Sequence, residues 1–238
     1  MTAARELPPT SPFTTDDGGP DRAVQAALQA WAAAPATRLA VVSALGRSRV
    51  LVPVLAPGRD RSTTAVALSA PDGRAALPVF TQVSSLAAWH ADARPVPVPA
   101  ARAAMAALAE GWELLVVDPA GPVTFVVPGP AVRALAAGTA WEPAVVNGAV
   151  RPEIVAAVRH AVAIGDVASV GVRPGDSAEV TVVLGVRSGL GRAALDRLLD
   201  AVGRRLAAEP VVANDVDSVE IRVAPVSGVD GGAVPAPA

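Results

Sequence analysis

Residues 179–199, EVTVVLGVRSGLGRAALDRLL, decide how the last third of the chain folds. The run from Glu179 to Val186 is rich in β-branched residues and predicts a strand. Gly189 and Gly191 interrupt it. Leu195, Leu198, Leu199, Val202 and Leu206 then recur at helical spacing. A strand, a glycine turn and a helix are two thirds of a dinucleotide fingerprint. The missing third is an acidic residue ending the next strand. That strand, SVEIRV, runs into Ala224-Pro225 and holds Glu220 in its interior. The β–β step before the glycines points to antiparallel pairing. The turn therefore reads as a strand-to-helix corner, with Gly191 giving backbone freedom at the helix start.

Working outward, PAVV at 143–146 predicts a short first strand, and Pro152 opens a helix with Ile154, Val155, Val158 and Val162 on one face. VASVGVR and EVTVVLGV predict strands joined at Pro174-Gly175-Asp176. On the helix after Gly191, the positions Arg192, Asp196, Asp200 and Arg204 form a solvated face. The order β-α-β-β-α-β over 141–225 predicts a ferredoxin-like, split βαβ domain. Residues 226–238 read as a disordered tail and 1–20 as a flexible arm.

Residues 21–140 predict an α+β domain of a different kind. Asp21 caps a helix to about Ala34, with Val24, Leu28 and Trp31 on its apolar face. LAVVSAL, RVLVPVL, TTAVALSA and AALPVF then read as four short strands in an antiparallel meander. Ser84 caps a short helix through His90. Pro99 and Gly111 bracket another, striped by Ala101, Met105 and Leu108. ELLVVDPAGPVTFVVP gives two strands, and a helix from Pro130 to Ala137 closes the domain. The fold class is thus α+β: two sandwich-like domains, the first with a mainly antiparallel sheet.

Composition removes many chemistries. The chain has no Cys, so it offers no thiol nucleophile, disulfide or thiolate metal ligand. It has no Lys, hence no Schiff base and no P-loop lysine, and no Tyr. His90 and His160 are its only side chains that ordinarily titrate near neutrality. A net charge of −2, with acidic and basic residues balanced along the chain, argues against a nucleic-acid partner. No apolar run is long enough for a membrane helix, and MTAARELPPTSPFTTDD lacks the apolar core of a signal peptide. The expectation is a soluble, cytoplasmic protein.

Candidate residues are few. Asp215 and Asp217, with Glu220 nearby, are the carboxylates that could hold a metal, but Asn and Asp before a strand read as turn residues. His90 and His160 lie too far apart in sequence to begin a zinc site, and no base stands beside a Ser or Thr. No catalytic, cofactor-binding or metal residue is therefore assigned. In so aromatic-poor a chain Trp31, Trp89, Trp112 and Trp141 read as core or core edge, with Trp89 and Trp112 the candidates for contact with a partner.

From LPVFTQVSSLAAWHADARPVPVP to EGWELLVVDPAGPVTFVVPGPAVRAL, residues 77–137, the chain resembles the SseB family, named for enhanced serine sensitivity, and most of all its actinobacterial members. The likeness lies in the order of its pieces: PVFT ending a strand, a short helix with Trp89, RPVPVP before an Ala-rich helix, and LLVVDPAGP entering a hairpin. It implies an SseB N-terminal domain, followed by a part compatible with the C-terminal SseB domain. It implies no catalytic residue, cofactor or substrate.

Two functions follow as expectations. The first is a non-enzymatic protein-interaction or regulatory module with an exposed apolar patch near Trp89 and Trp112, whose partners are proteins, a second copy included. The second is a sensor of an amino acid or related metabolite, with Arg94 or Arg102 meeting its carboxylate.

Overall fold

The computed structural model describes residues 16–55, 67–70 and 72–226, with Pro225 as backbone alone. The chain divides into two compact units, one ending at Trp141 and one starting at Glu142.

The first unit opens with α1 (Arg22–Ala33). The Asp21 carboxylate accepts from the N–H groups of Ala23 and Val24 at its start, so two otherwise orphaned donors are satisfied. A turn at Pro35–Thr37 leads into α2 (Arg38–Leu45). The expected strand at 39–45 is thus a helix. Val41, Val42 and Leu45 are buried while Leu39 is exposed, which is a helical stripe in a run too short for its period to be read. Next come β1 (Arg49–Val54), β2 (Leu68–Ser69) and β3 (Ala75–Val79). The first half of the expected strand at 63–70 lies outside the described residues. After α3 (Val83–Trp89) comes β4 (Arg94–Pro99), a strand in a segment that the sequence reading took only as a lead-in to the next helix. The helix α3 starts before Ser84, so that residue is not its cap. Then follow α4 (Ala100–Ala109), β5 (Leu114–Val117), β6 (Phe125–Val127) and α5 (Gly129–Ala137).

The strands do not form a meander. They pair in the order β2-β3-β5-β6, with β3 and β5 parallel and the outer pairs antiparallel. β1 pairs antiparallel with β4, and Leu51 and Phe80 exchange backbone hydrogen bonds at 2.8 and 2.9 Å on its other side. Leu51 therefore points its polar groups away from β4, as does its opposite, Pro97. Pro95 and Pro99 share that phase, so the three prolines leave no ladder bond unmade. Leu77, Val79, Leu115 and Val117 face a core built with α1, α2, α4 and α5.

The expected arm over 1–20 falls outside the described residues up to 15, and its remainder is held in place. Arg49 donates to both carboxylate oxygens of Asp16, and to the carbonyls of Gly19 and Thr81. The guanidinium holds the Asp16 carboxyl below its usual range.

The second unit contains a short hairpin, β7 (Val145–Val146) and β8 (Ala149–Val150), then α6 (Pro152–Ala161), β9 (Val167–Pro174), β10 (Val180–Arg187), α7 (Arg192–Ala208), α8 (Pro210–Asp215) and β11 (Val219–Val226). Its sheet runs β11-β10-β9, with β10 antiparallel to β9 and parallel to β11. The ferredoxin-like arrangement is corrected here. The expected first strand is used up in its own hairpin, and the parallel pair is directly adjacent with no strand between. Val180, Val182, Leu184 and Val186 pack under the helices with Ile154, Val158, Val202 and Leu206. Of the expected tail, Val226 belongs to β11 and 227–238 lie outside the described residues.

Candidate site: an apolar groove along one helix

The helix α4 reads AARAAMAALA and is apolar at nearly every position. Ala100, Ala103, Ala104 and Ala107 form its buried stripe, and the helix packs against α5 through them. Small side chains at that seam let the backbones come close. A second stripe, Arg102, Met105, Ala106 and Ala109, faces outward at the same i, i+3, i+4, i+7 spacing. Met105 is 51% exposed, which corrects the reading of it as part of the core stripe.

The β1–β4 ribbon forms the facing wall. Its register places Val50 opposite Val98 and Val52 opposite Val96, so these valines share one face. Val50 is buried in the core, while Val52, Val96 and Val98, with Val54, Leu77 and Trp112, line a groove of about 610 Å³ against the outer stripe of α4. Its charged lining residues are Arg102 and Glu110. Val96 is 40% exposed, and Trp112 is half-buried just beyond the glycine that ends the helix. Gly111 takes φ +74°, a conformation that turns the chain back after the last turn.

The two candidate tryptophans separate here. Trp112 lines the groove. Trp89 lies in a small cluster with Leu51, Phe80, Leu86 and Ala93, its ring 5.4 Å from that of Phe80. Leu51 and Val52 project to opposite faces of β1, so these two tryptophans serve opposite sides of one strand. Trp31 meets Phe125 edge to face at 5.0 Å, and Trp141 is buried. Of the two arginines expected to meet a carboxylate, Arg102 lines the groove and Arg94 does not.

A smaller polar pocket, about 160 Å³, lies at the carboxyl ends of the parallel strands β3 and β5. Gln25, Gln29, Gln82, Ser85, Thr81 and Asp118 contribute to it. Asp118 is 5% exposed, and burial raises its carboxyl above the usual range despite hydrogen bonds from Thr81 and Ser85. Both oxygens are already engaged by Thr81, at 2.8 Å from its N–H and 2.6 Å from its hydroxyl. The group ties two strand ends together.

The remaining candidates do not converge. His90 ends α3 and His160 lies on α6, both exposed. Asp215 accepts from Arg151 at 2.7 Å, while Glu220 binds Arg222, Ser177 and Thr181. Among the described residues no three His, Asp or Glu side chains group as metal ligands. Nor is any helix long and apolar enough to cross a membrane.

The glycine turn follows β10 and precedes α7; the β–β step before it pairs antiparallel, as expected, and the parallel β10–β11 pair makes the turn a βαβ corner. Gly189 has φ +98°, but Gly191 sits at φ −69° with open space where a Cβ would be. The backbone freedom needed there belongs to Gly189.

No curated protein and no solved structure matches the chain significantly. Residues 24–134, which hold every wall of the groove, match the model of the SseB protein N-terminal domain, so the first unit is an SseB-type domain.

Proposed function

We propose that this chain is a non-enzymatic, cytoplasmic protein-interaction module whose first unit receives an apolar peptide segment of a partner protein in the groove between α4 and the β1–β4 ribbon. The second unit serves as the family's C-terminal SseB-type domain. The observation that carries the reading is the double stripe on α4. A helix with apolar residues on both faces is ordinarily buried on both. Here one face is packed and the other, with Met105 at its centre, is open to solvent.

The two charges favour a peptide over a metabolite. Arg102 and Glu110 stand eight residues apart, about 12 Å along the helix. A free amino acid carries its carboxylate and ammonium on one carbon and cannot reach both. A peptide with an acidic residue at one end of an apolar segment and a basic residue at the other can. Apolar burial supplies affinity in such a groove, and the charges set the direction of the segment.

Selection of a random-peptide library on the intact chain tests this, with Ala106→Arg as the counter-selection because that position is exposed on the groove floor. Enriched peptides should be apolar with opposite charges at their ends, and Arg102→Glu should weaken them roughly tenfold. No enrichment, or peptides that bind both variants as well as the parent, would remove the proposal. A thermal-shift screen of free amino acids decides the sensor reading separately, because a specific ligand raises the midpoint by mass action.

A further inference from the structure

The strand β11 carries Val219-Glu220-Ile221-Arg222-Val223 at the edge of the second unit's sheet. Among the described residues it pairs only with β10. The Val180 N–H donates to the Ser218 carbonyl at 3.1 Å, which fixes the phase of that parallel ladder. Ser218, Glu220, Arg222 and Ala224 point their backbone polar groups at β10. Val219, Ile221 and Val223 point theirs outward. Exposed edges are usually blunted by charge, proline or a bulge. In β11 the outward positions 219, 221 and 223 are all β-branched.

We infer that β11 is the contact between two copies of this chain, paired antiparallel about a twofold axis through Ile221. In that register Ile221 faces the partner's Ile221, and Val219 faces the partner's Val223. Among the described residues these are the positions whose N–H and C=O groups have no strand partner, so each forms a hydrogen-bonded pair. Glu220 then lies opposite the partner's Arg222, where the side chains of a non-hydrogen-bonded pair come closest.

Charge selects this register. Sliding the axis to residue 220 sets two glutamates against each other, and sliding it to 222 sets two arginines together. Both charges stand on the sheet face away from the helices. Glu220 is already positioned there by Arg222 at 3.0 Å and by the Ser177 and Thr181 hydroxyls at 3.1 and 3.3 Å.

The other face supplies an apolar seat. Val219 and Ile221 border a pocket of about 280 Å³ together with Leu206, Val212 and Val216. The partner's Val223, opposite Val219, stands on the side of that pocket. Val223 is 40% exposed in the single chain, and pairing covers it. The outcome is a closed, isologous dimer with one sheet running through both copies.

Sedimentation and cysteine cross-linking of the full chain test this. The parent should dimerise with a micromolar Kd. Glu220→Arg and Arg222→Glu should each weaken the dimer at least tenfold, and mixing the two should restore a heterodimer (roughly tenfold per repulsive pair). The chain has no cysteine, so Ile221→Cys is the sole thiol and should cross-link to itself. A hydrogen-bonded antiparallel pair sets its Cα atoms about 5.5 Å apart, within disulfide reach. Val219→Cys and Val223→Cys should cross-link only when mixed. A chain that stays monomeric to about 1 mM, where even weak contacts register, would overturn the inference. So would a dimer indifferent to both charge variants, or an Ile221→Cys chain that does not cross-link.

Discussion

Thr81 meets Asp118 twice, its N–H donating to one carboxylate oxygen at 2.8 Å and its hydroxyl to the other at 2.6 Å. Both residues are buried. The contact joins the chain just after β3 to the chain just after β5, the parallel pair of which β3 supplies Leu77 to the groove. Asp118 takes φ +47°, in the left-handed region that Asn also tolerates. Asp118→Ala strands both Thr81 donors and should cost about 3 kcal/mol. Asp118→Asn keeps an acceptor for the N–H and a donor for the hydroxyl oxygen, and should stay within about 1 kcal/mol of the parent. Urea denaturation of the three proteins checks this.

The same residue sets a pH dependence of definite sign. Burial raises the Asp118 carboxyl above its unfolded value of 3.8. Its contribution is fully present below that value and is lost as pH rises through the folded value. Asp16 runs the other way. The hydrogen bond from Arg49 lowers its folded value, so its contribution is present above 3.8 and is lost as pH falls through the folded value. The stability of the parent relative to Asp118→Asn should therefore decline as pH climbs from about 4, and relative to Asp16→Asn it should decline as pH falls below about 4.

Arg49 holds residues 16–20 through the Asp16 carboxylate and the Gly19 carbonyl, and reaches Thr81 as well. Its side chain is 11% exposed. Arg49→Ala should cost about 2 kcal/mol, somewhat less than breaking a fully buried pair. Amide exchange should quicken at Val83, whose N–H donates to the Gly18 carbonyl at 3.0 Å.

Ala120 is a place to gain stability. The Gly121 N–H donates to the Asp118 carbonyl at 2.9 Å, closing a turn in which Ala120 follows Pro119 at φ +65°. A turn with proline second and a positive φ third ordinarily places Gly third. Ala120→Gly should raise stability by about 0.5–1 kcal/mol, the left-handed cost to alanine less the extra backbone entropy of glycine. Thermal denaturation measures it.

The legible parts of the fold were those fixed by local chemistry. Asp21 caps a helix because a carboxylate there reaches two free N–H groups, whatever the rest of the chain does. The stretch 180–187 is a strand because its side chains are β-branched and sit on a core. Pairing was not legible. Whether β10 and β11 run parallel depends on where α7 carries the chain, and nothing in SVEIRV states it. The strand β4 was obscured because its three prolines read as breakers until their outward phase against β1 is known. Met105 was misplaced for a related reason. On a helix apolar all round, spacing has no phase, and only the position of α5 decides which stripe is core. The groove could have been suspected from that same excess of apolar residues.

The most direct test of the docking role uses Met105 itself. The chain has two methionines, and Met1 is the other. With carbon-13 in the methionine methyl groups, Met105 is thus a reporter at the centre of the groove floor. On titration with a library-selected peptide, its methyl resonance should shift while that of Met1 stays fixed. Arg102→Glu should move the titration midpoint to higher peptide concentration. Peptide binding that leaves the Met105 resonance unmoved would contradict the account.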